Sequence, residues 1–267
     1  MNKAYLMIAL LALAGCEKEL TVAKICKDNP ALCSDLNEDS HCNIQRREVI
    51  FQRYAESKLP SDINKFNLLM GFEKYSKCIE LAAGIEHIKL KEKTTSRVNG
   101  YLTSLREIKR LTEETVSSEL PNLLYYHWSR QQSKPHLEKF LLAEQNGQLE
   151  TPQLQFALAS YYMKRDLNKT IDVLHRALTL STAGSTIDPE IYTALTTIYY
   201  KQGNFPMSLH WAIVAEDAGI ERIEFTLIRK ELSKRKQNTD SIESLAEATI
   251  SSLEQGIFVI PQLTEAL

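Results

Sequence analysis

A pattern of aromatic and aliphatic residues returns along this chain, and that return constrains the fold more than any other feature. Residues 189–215 read PEIYTALTTIYYKQGNFPMSLHWAIVA, with Tyr192, Leu195 and Tyr199 followed by Gly203, Phe205, Ser208 and Ala215. Tyr161 stands 38 residues before Tyr199, among Leu154, Ala157, Leu167, Thr170, Leu174 and Ala177. Tyr126 stands 35 residues before Tyr161, in LLYYHWSRQQSKPHLEKFLL, and a fainter echo runs from Lys74 to Ala82. A period of this length marks helical hairpins, each unable to bury its apolar face alone, that stack and share a core. The composition agrees. With 9 Gly and 8 Pro in 267 residues, the chain has about half the ordinary share of residues that punctuate helices. The few present fall where hairpins need them: Gly203 in a turn, Pro60 and Pro121 between helices, Gly219 and Gly256 at helix ends. Hydrophobic residues at 43% and charged residues at 25% exclude collagen-like, disordered and polytopic membrane chains.

The repeat resembles the tetratricopeptide family. The early family glycine is replaced by Thr196 and one turn glycine by Arg165, and Pro135 enters the second helix of the Tyr126 copy early, where proline is tolerated. The resemblance implies an all-α, right-handed solenoid of antiparallel helical hairpins whose first helices line a concave groove. Carried over position by position, the groove residues are Thr193, Thr197, Tyr200 and Lys201 in the best copy. They are Gln155, Ala159, Tyr162 and Met163 in the copy before it, and Leu124, His127 and Trp128 in the degenerate one. The alternative for Trp128 and the tyrosines is packing beneath neighbouring helices. Outside the repeats, Leu102, Leu105, Ile108 and Leu111 predict a helical stripe within 99–120. Residues 220–236 read as a charged helix. Asp240 and Glu243 have the form of a capping box on a helix ending near Glu254, after which Ile257–Ile260 would fold back as a lid.

The N-terminus reads MNKAYLMIALLALAGC. An apolar run of 11 residues from Ala4 to Ala14 is too short to span a bilayer, which takes about 20, and suits a signal peptide. Leu13-Ala14-Gly15-Cys16 resembles a bacterial lipobox. That resemblance implies cleavage after residue 15 and a lipid attachment at Cys16, with two or more acyl chains for stable anchoring. By resemblance to lipoprotein sorting, Glu17 is not the usual aspartate retention signal, so the expected address is the outer membrane, facing the periplasm, with the inner membrane as the alternative.

Cys26, Cys33, Cys42 and Cys78 then remain, an even number in an oxidising compartment. Three connectivities exist. Cys26 and Cys33 flank the Asn29-Pro30 turn and can close a small loop. Cys42 and Cys78 lie 18 residues either side of Pro60. They meet if Pro60 turns a helical hairpin, and also if residues 61–90 form two helices. Both geometries favour Cys26–Cys33 with Cys42–Cys78. The spacings contain no CxxC pair and no histidine in a zinc-finger pattern, so zinc is not expected.

Thirty-two basic and 34 acidic residues leave the net charge at −2, without the basic stripe that nucleic acid requires. The two basic stretches, 89–97 and 229–236, each contain Glu and read as solvated, with anionic lipid head groups as the alternative. The six histidines form no metal or catalytic spacing, and no GxSxG, P-loop or GxGxxG occurs. No enzyme activity, cofactor or metal is expected. The lipobox, Ile25–Pro30, and Cys78–Ala82 followed by Glu86–Lys89 resemble an uncharacterised group of proteobacterial lipoproteins, a domain of unknown function. The expected organisation is a signal peptide over 1–15, a cysteine-containing helical region over 16–97 and a repeat region with C-terminal capping helices over 98–267. The expected function is a lipid-anchored scaffold or adaptor that binds envelope proteins or peptides. The rival is a peptidoglycan-binding module or hydrolase cofactor.

Overall fold

The computed structural model describes residues 20–86 and 89–262, so the leader, Cys16 and His87 lie outside the described residues. The described residues form helices joined by loops, and no strand occurs among them. The helices are α1 (Val22–Asp28), α2 (Asn43–Lys58), α3 (Asp62–Ala83), α4 (Lys91–Glu114), α5 (Pro121–Gln131), α6 (Lys134–Gln145), α7 (Pro152–Tyr162), α8 (Leu167–Thr179), α9 (Glu190–Lys201), α10 (Phe205–Asp217), α11 (Phe225–Lys234) and α12 (Asp240–Glu254), with a 3-10 turn at Pro30–Leu32. Short polar side chains set several of the starts. Thr21, Ser61, Thr151, Asp166 and Asn204 each accept a hydrogen bond from a first-turn N–H that would otherwise lack a partner. The chain divides into two compact units between Leu123 and Leu124. The boundary expected at 97/98 falls inside α4, which packs along α3 as one continuous helix.

In the first unit, α2 and α3 form a hairpin that turns at Leu59–Ser61, and residues 62–83 make one helix rather than two. Both expected disulfides are present, Cys26–Cys33 and Cys42–Cys78. The second joins the residue before α2 to the last turns of α3 and clasps the open end of the hairpin. By loop-closure entropy the two constrain the unfolded chain by about 2.5 and 4 kcal/mol. Val49 and Ile50 of α2, Leu68, Leu69, Phe72, Tyr75 and Ile79 of α3 and Leu111 of α4 are buried. The stripe expected on α4 is buried only toward its C-terminal end, at Leu111, with Ile108 half-buried. Leu102 and Leu105 are 50% and 43% exposed, while Gly100, Thr103 and Ser104 are buried. Close approach decides which face turns inward, because a Cβ at Gly100 would collide with the Tyr75 hydroxyl.

Polar groups fill the space that this approach leaves. The Asn37 Nδ2 donates to Asp39 Oδ1 (2.8 Å) and to the His41 carbonyl (2.8 Å), and the Tyr75 hydroxyl donates to Asn37 Oδ1 (2.7 Å). Arg97, expected in a solvated basic stretch, is 2% exposed. It donates to Asp39 Oδ2 (2.6 Å), the Ala82 carbonyl (3.2 Å) and His41 Nδ1 (3.0 Å). Burial works to raise the Asp39 pKa, but the bonds from Asn37, Arg97 and the His41 backbone outweigh it and hold the carboxyl below its usual 3.8. Arg53 makes a second such contact, with both of its terminal nitrogens on Asp35 (2.6 and 2.9 Å).

In the second unit the two best copies of the sequence pattern land on two helical hairpins, α7 with α8 and α9 with α10. Leu158, Ala159, Leu174, Ala177, Leu195, Ile198, Trp211 and Ala215 belong to one shared apolar cluster. Gly203 takes φ +72° in the α9–α10 turn. The Ser208 hydroxyl donates to the Thr196 carbonyl (3.0 Å), tying α10 to α9. Three expectations change. Residues 220–224 are not helical, and α11 begins only at Phe225. Asp240 is the first helical residue of α12, with Thr239 before it, and no side chain caps that end. Of Ile257–Ile260 only Phe258 packs inward, against His175 and Trp211 at 5.6 and 6.2 Å, while Ile257, Val259 and Ile260 are exposed.

Candidate functional site

Helix α9 has two faces of different chemistry. Ile191, Tyr192, Leu195 and Ile198 are buried in the core. Thr193, Thr196, Thr197 and Tyr200, spaced three and four apart, form the opposite face. That face is one wall of a cleft of about 250 Å³. The other wall is Arg222, Ile223 and Glu224 with Leu227 and Ile228 from the start of α11, and Ser208 of α10 also lines it. The failure of residues 220–224 to form helix creates this second wall.

The cleft mixes an apolar surface with a polar rim. Ile228 is buried, Ile223 half-buried and Leu227 exposed. Tyr200 stands edge-on to Phe205 at 5.3 Å, and the Arg235 guanidinium lies over Phe205 at 4.6 Å. The Thr193 and Thr196 hydroxyls donate to Glu190 and Tyr192 carbonyls of their own helix, so toward the cleft their oxygens are left as acceptors. Arg222 and Glu224 are exposed and form no ion pair among the described residues. Such a lining can hold an apolar side chain, accept hydrogen bonds from a passing backbone and present one charge of each sign.

The other expected groove positions do not join this cleft. Lys201 is exposed at the end of α9 but is not in the lining. Gln155 is buried and donates to the Leu149 carbonyl (3.0 Å). It lines a separate concavity of about 330 Å³ with Glu144, Glu150, Lys169 and Arg176, and those four charges pair as Glu144–Lys169 (3.2 Å) and Glu150–Arg176. The Tyr162 hydroxyl donates to Glu144 (2.8 Å), and burial, with that carboxylate, pushes its pKa up to about 12. Met163 is half-buried against the core, and Ala159 and Leu124 are core residues. His127 is wholly buried, its ring 4.6 Å from that of His136. Trp128 packs edge-on against Tyr125 and Tyr161 at 5.7 and 5.6 Å. Large rings next to other large rings bury each other, so in the degenerate copy the packing alternative holds. Arg222, Ile223 and Leu227 were not foreseen, because residues 220–236 read as one charged helix with no break before Phe225.

A larger concavity, of about 560 Å³, in the first unit is lined by Glu38, Glu92, Asn99 and Arg106 among others. Its Asp35 is already held by Arg53 and its Arg106 donates to Thr103 (2.8 Å), so it offers less unused chemistry than the α9 cleft.

A family model described as a protein of unknown function, DUF2989, matches residues 13–213. The chain belongs to that family. The match takes in both disulfides and α1 to α9, and stops within α10. The Thr193–Tyr200 wall of the cleft therefore lies inside the family region and the Arg222–Ile228 wall outside it. Nothing among curated proteins or solved structures matches the chain.

Proposed function

We propose that this DUF2989 chain is a lipid-anchored lipoprotein of the bacterial envelope, on the outer membrane and facing the periplasm, that binds an extended segment of another envelope protein in the α9 cleft. Its hairpins are read as a tetratricopeptide-like stack, with Thr193, Thr197 and Tyr200 as the surviving groove positions. The observation that carries the reading is their convergence, with Arg222, Ile223 and Leu227, on one unfilled cleft. Three of the four inward positions of the best copy thus line a concave surface of apolar and hydrogen-bonding groups, the chemistry that receives an extended chain.

Two further findings support the address. The family match begins at residue 13 and so includes Leu13-Ala14-Gly15-Cys16. The four cysteines after Cys16 are all paired, as is usual in chains that mature in an oxidising compartment. The binding claim is tested with Thr197→Arg and Tyr200→Ala, compared with wild type for co-purification of envelope proteins under native conditions. Loss of the same partner from both variants, at unchanged helicity, is expected. Unchanged co-purification contradicts the cleft. The address is tested by metabolic labelling with a lipid precursor, which is expected to label wild type and not Cys16→Ser.

A further inference from the structure

Another pocket, of about 180 Å³, opens between the start of α9 and the ends of α10 and α12, and shares no residue with the α9 cleft. Its walls are apolar: Val214 is buried, and Ile187, Ile250 and Leu253 are half-buried. Tyr192 lines it too and is only 5% exposed. Stacking on Trp211 at 6.0 Å fixes its ring. Its hydroxyl makes no hydrogen bond among the described residues, yet is not one of the polar atoms sealed in the interior. The hydroxyl therefore opens into the pocket. A phenol held this deep and left without a protein partner calls for an explanation, and a group that enters the pocket supplies one.

The charge at the mouth has one sign. Asp217 and Glu254 line the pocket, are exposed, and form no ion pair or side-chain hydrogen bond among the described residues. Residues 177–200, 202–221 and 237–262, which build the pocket, contain no Lys or Arg, while Asp188, Glu190, Glu216 and Glu247 add further carboxylates. Of the cations that flank these segments, Arg176 is held by Glu150, Arg222 lines the other cleft, and Lys201 and Lys236 adjoin the far ends of α9 and α12. Apolar walls focus a field of one sign on whatever enters. Burial, with the Asp217 carboxylate, pushes the Tyr192 pKa up to about 12. The phenol thus stays neutral and accepts a hydrogen bond.

We propose that this pocket binds a primary ammonium on an unbranched aliphatic stem, carried by a lysyl side chain or by a small amine. The stem lies along the apolar walls, and the ammonium N–H groups go to the Asp217 and Glu254 carboxylates and the Tyr192 oxygen. The volume is below that of pockets that enclose a whole drug-sized ligand and suits one such chain. A divalent cation fits less well, since no group of three metal-ligating side chains occurs among the described residues.

The test is an NMR titration of the full mature chain, with Cys16→Ser to keep it free of acyl groups, against n-pentylamine, Nα-acetyl-lysine methylamide and n-pentanol. Saturable shifts at Tyr192 and at the Val214 and Ile250 methyls, weakened by salt, are expected with an amine and not with the alcohol. Saturation by the lysine derivative assigns a lysyl side chain, and saturation by pentylamine alone a small amine. Tyr192→Phe, which keeps the ring beside Trp211, should weaken binding about ten-fold, and Asp217→Asn and Glu254→Gln about three-fold each. Glu247→Gln, at an exposed site on α12 outside the lining, should leave it unchanged. Thr197→Arg should do so as well, so that this site stands or falls apart from the α9 cleft. Absence of saturable shifts with both amines, or equal shifts with pentanol, overturns the proposal. So does unaltered binding by Tyr192→Phe, a loss in Glu247→Gln as large as in Asp217→Asn, or displacement of pentylamine by calcium.

Discussion

At the centre of the first unit a guanidinium, a carboxylate, an amide and a phenol meet: Arg97, Asp39, Asn37 and Tyr75 are joined by short, directed bonds. At the centre of the second unit rings meet. Trp211 is fully buried, with Tyr192 stacked beside it at 6.0 Å, His175 and Phe258 tilted against it and His210 edge-on at 5.0 Å. The ring nitrogens Nε1 of Trp211, Nε2 of His175 and both of His210 have no hydrogen-bond partner among the described residues. One interior is specified by bond direction and two covalent staples, the other by shape. A directed network fails when a single member goes, because a buried charge is then left uncompensated. A shape-specified core yields by degrees, according to the volume lost.

The largest expected effect separates the two. Arg97→Ala should cost about 3–5 kcal/mol, because it takes the guanidinium from the Asp39 carboxylate and leaves the Ala82 carbonyl without that donor. Arg97→Lys should recover little of that, since one ammonium cannot reach Asp39, Ala82 and His41 together. Trp211→Ala should cost a similar 3–5 kcal/mol, but Trp211→Phe should recover more than half. Urea unfolding followed by circular dichroism measures all four, and equal recovery by the two conservative changes breaks the distinction. Next in size, Cys42→Ser with Cys78→Ser should lower unfolding free energy by about 4 kcal/mol through the released loop.

Acid should divide the units by pH. Burial holds His175 and His210 near pKa 4, against 6.5 for a free imidazole, with Asp172 opposing it for His175 and His175 adding to it for His210. The folded second unit therefore binds fewer protons than the unfolded chain between these values. Its stability should fall as pH drops from about 6.5 to about 4, by about 3 kcal/mol for each ring taken singly. Asp39, with its pKa lowered from 3.8, stabilises the first unit above that value and loses its contribution only below it. Amide hydrogen exchange at pH 5 should show α8 and α10 less protected than at pH 7 and α3 unchanged. His175→Phe with His210→Phe should abolish the difference. The smallest effect is Gly256→Ala, expected to cost about 1–3 kcal/mol by overpacking, because φ there is +71° and a Cβ would meet the Ala183 backbone. A thermal melt measures it.

The helices were legible because hydrophobic period and capping residues are local. The disulfides were legible because a turn at Pro60 leaves one sensible partner for Cys42. The α4 face was not. Leu102 and Leu105 share the helical spacing of the buried Leu111, but the contact at their end of α4 was decided by Gly100 and by Tyr75, a residue of another helix. The fate of Arg97 depended likewise on Asp39 and Ala82, both distant along the chain. At the candidate site, Thr193, Thr197 and Tyr200 were readable as one face of α9. Gln155 and His127 were misplaced because a repeat position gives direction from the helix and does not say which neighbour has already filled that space.

The central claim, that the α9 cleft is where a partner segment lies, is tested most directly by a photo-crosslinking amino acid placed singly at Thr197, Leu227, Gln155 and His127 in living cells. Adducts of one common mass from Thr197 and Leu227, and none from Gln155 or His127, are the expected result. Adducts absent from the first two positions, or equally abundant at all four, contradict it.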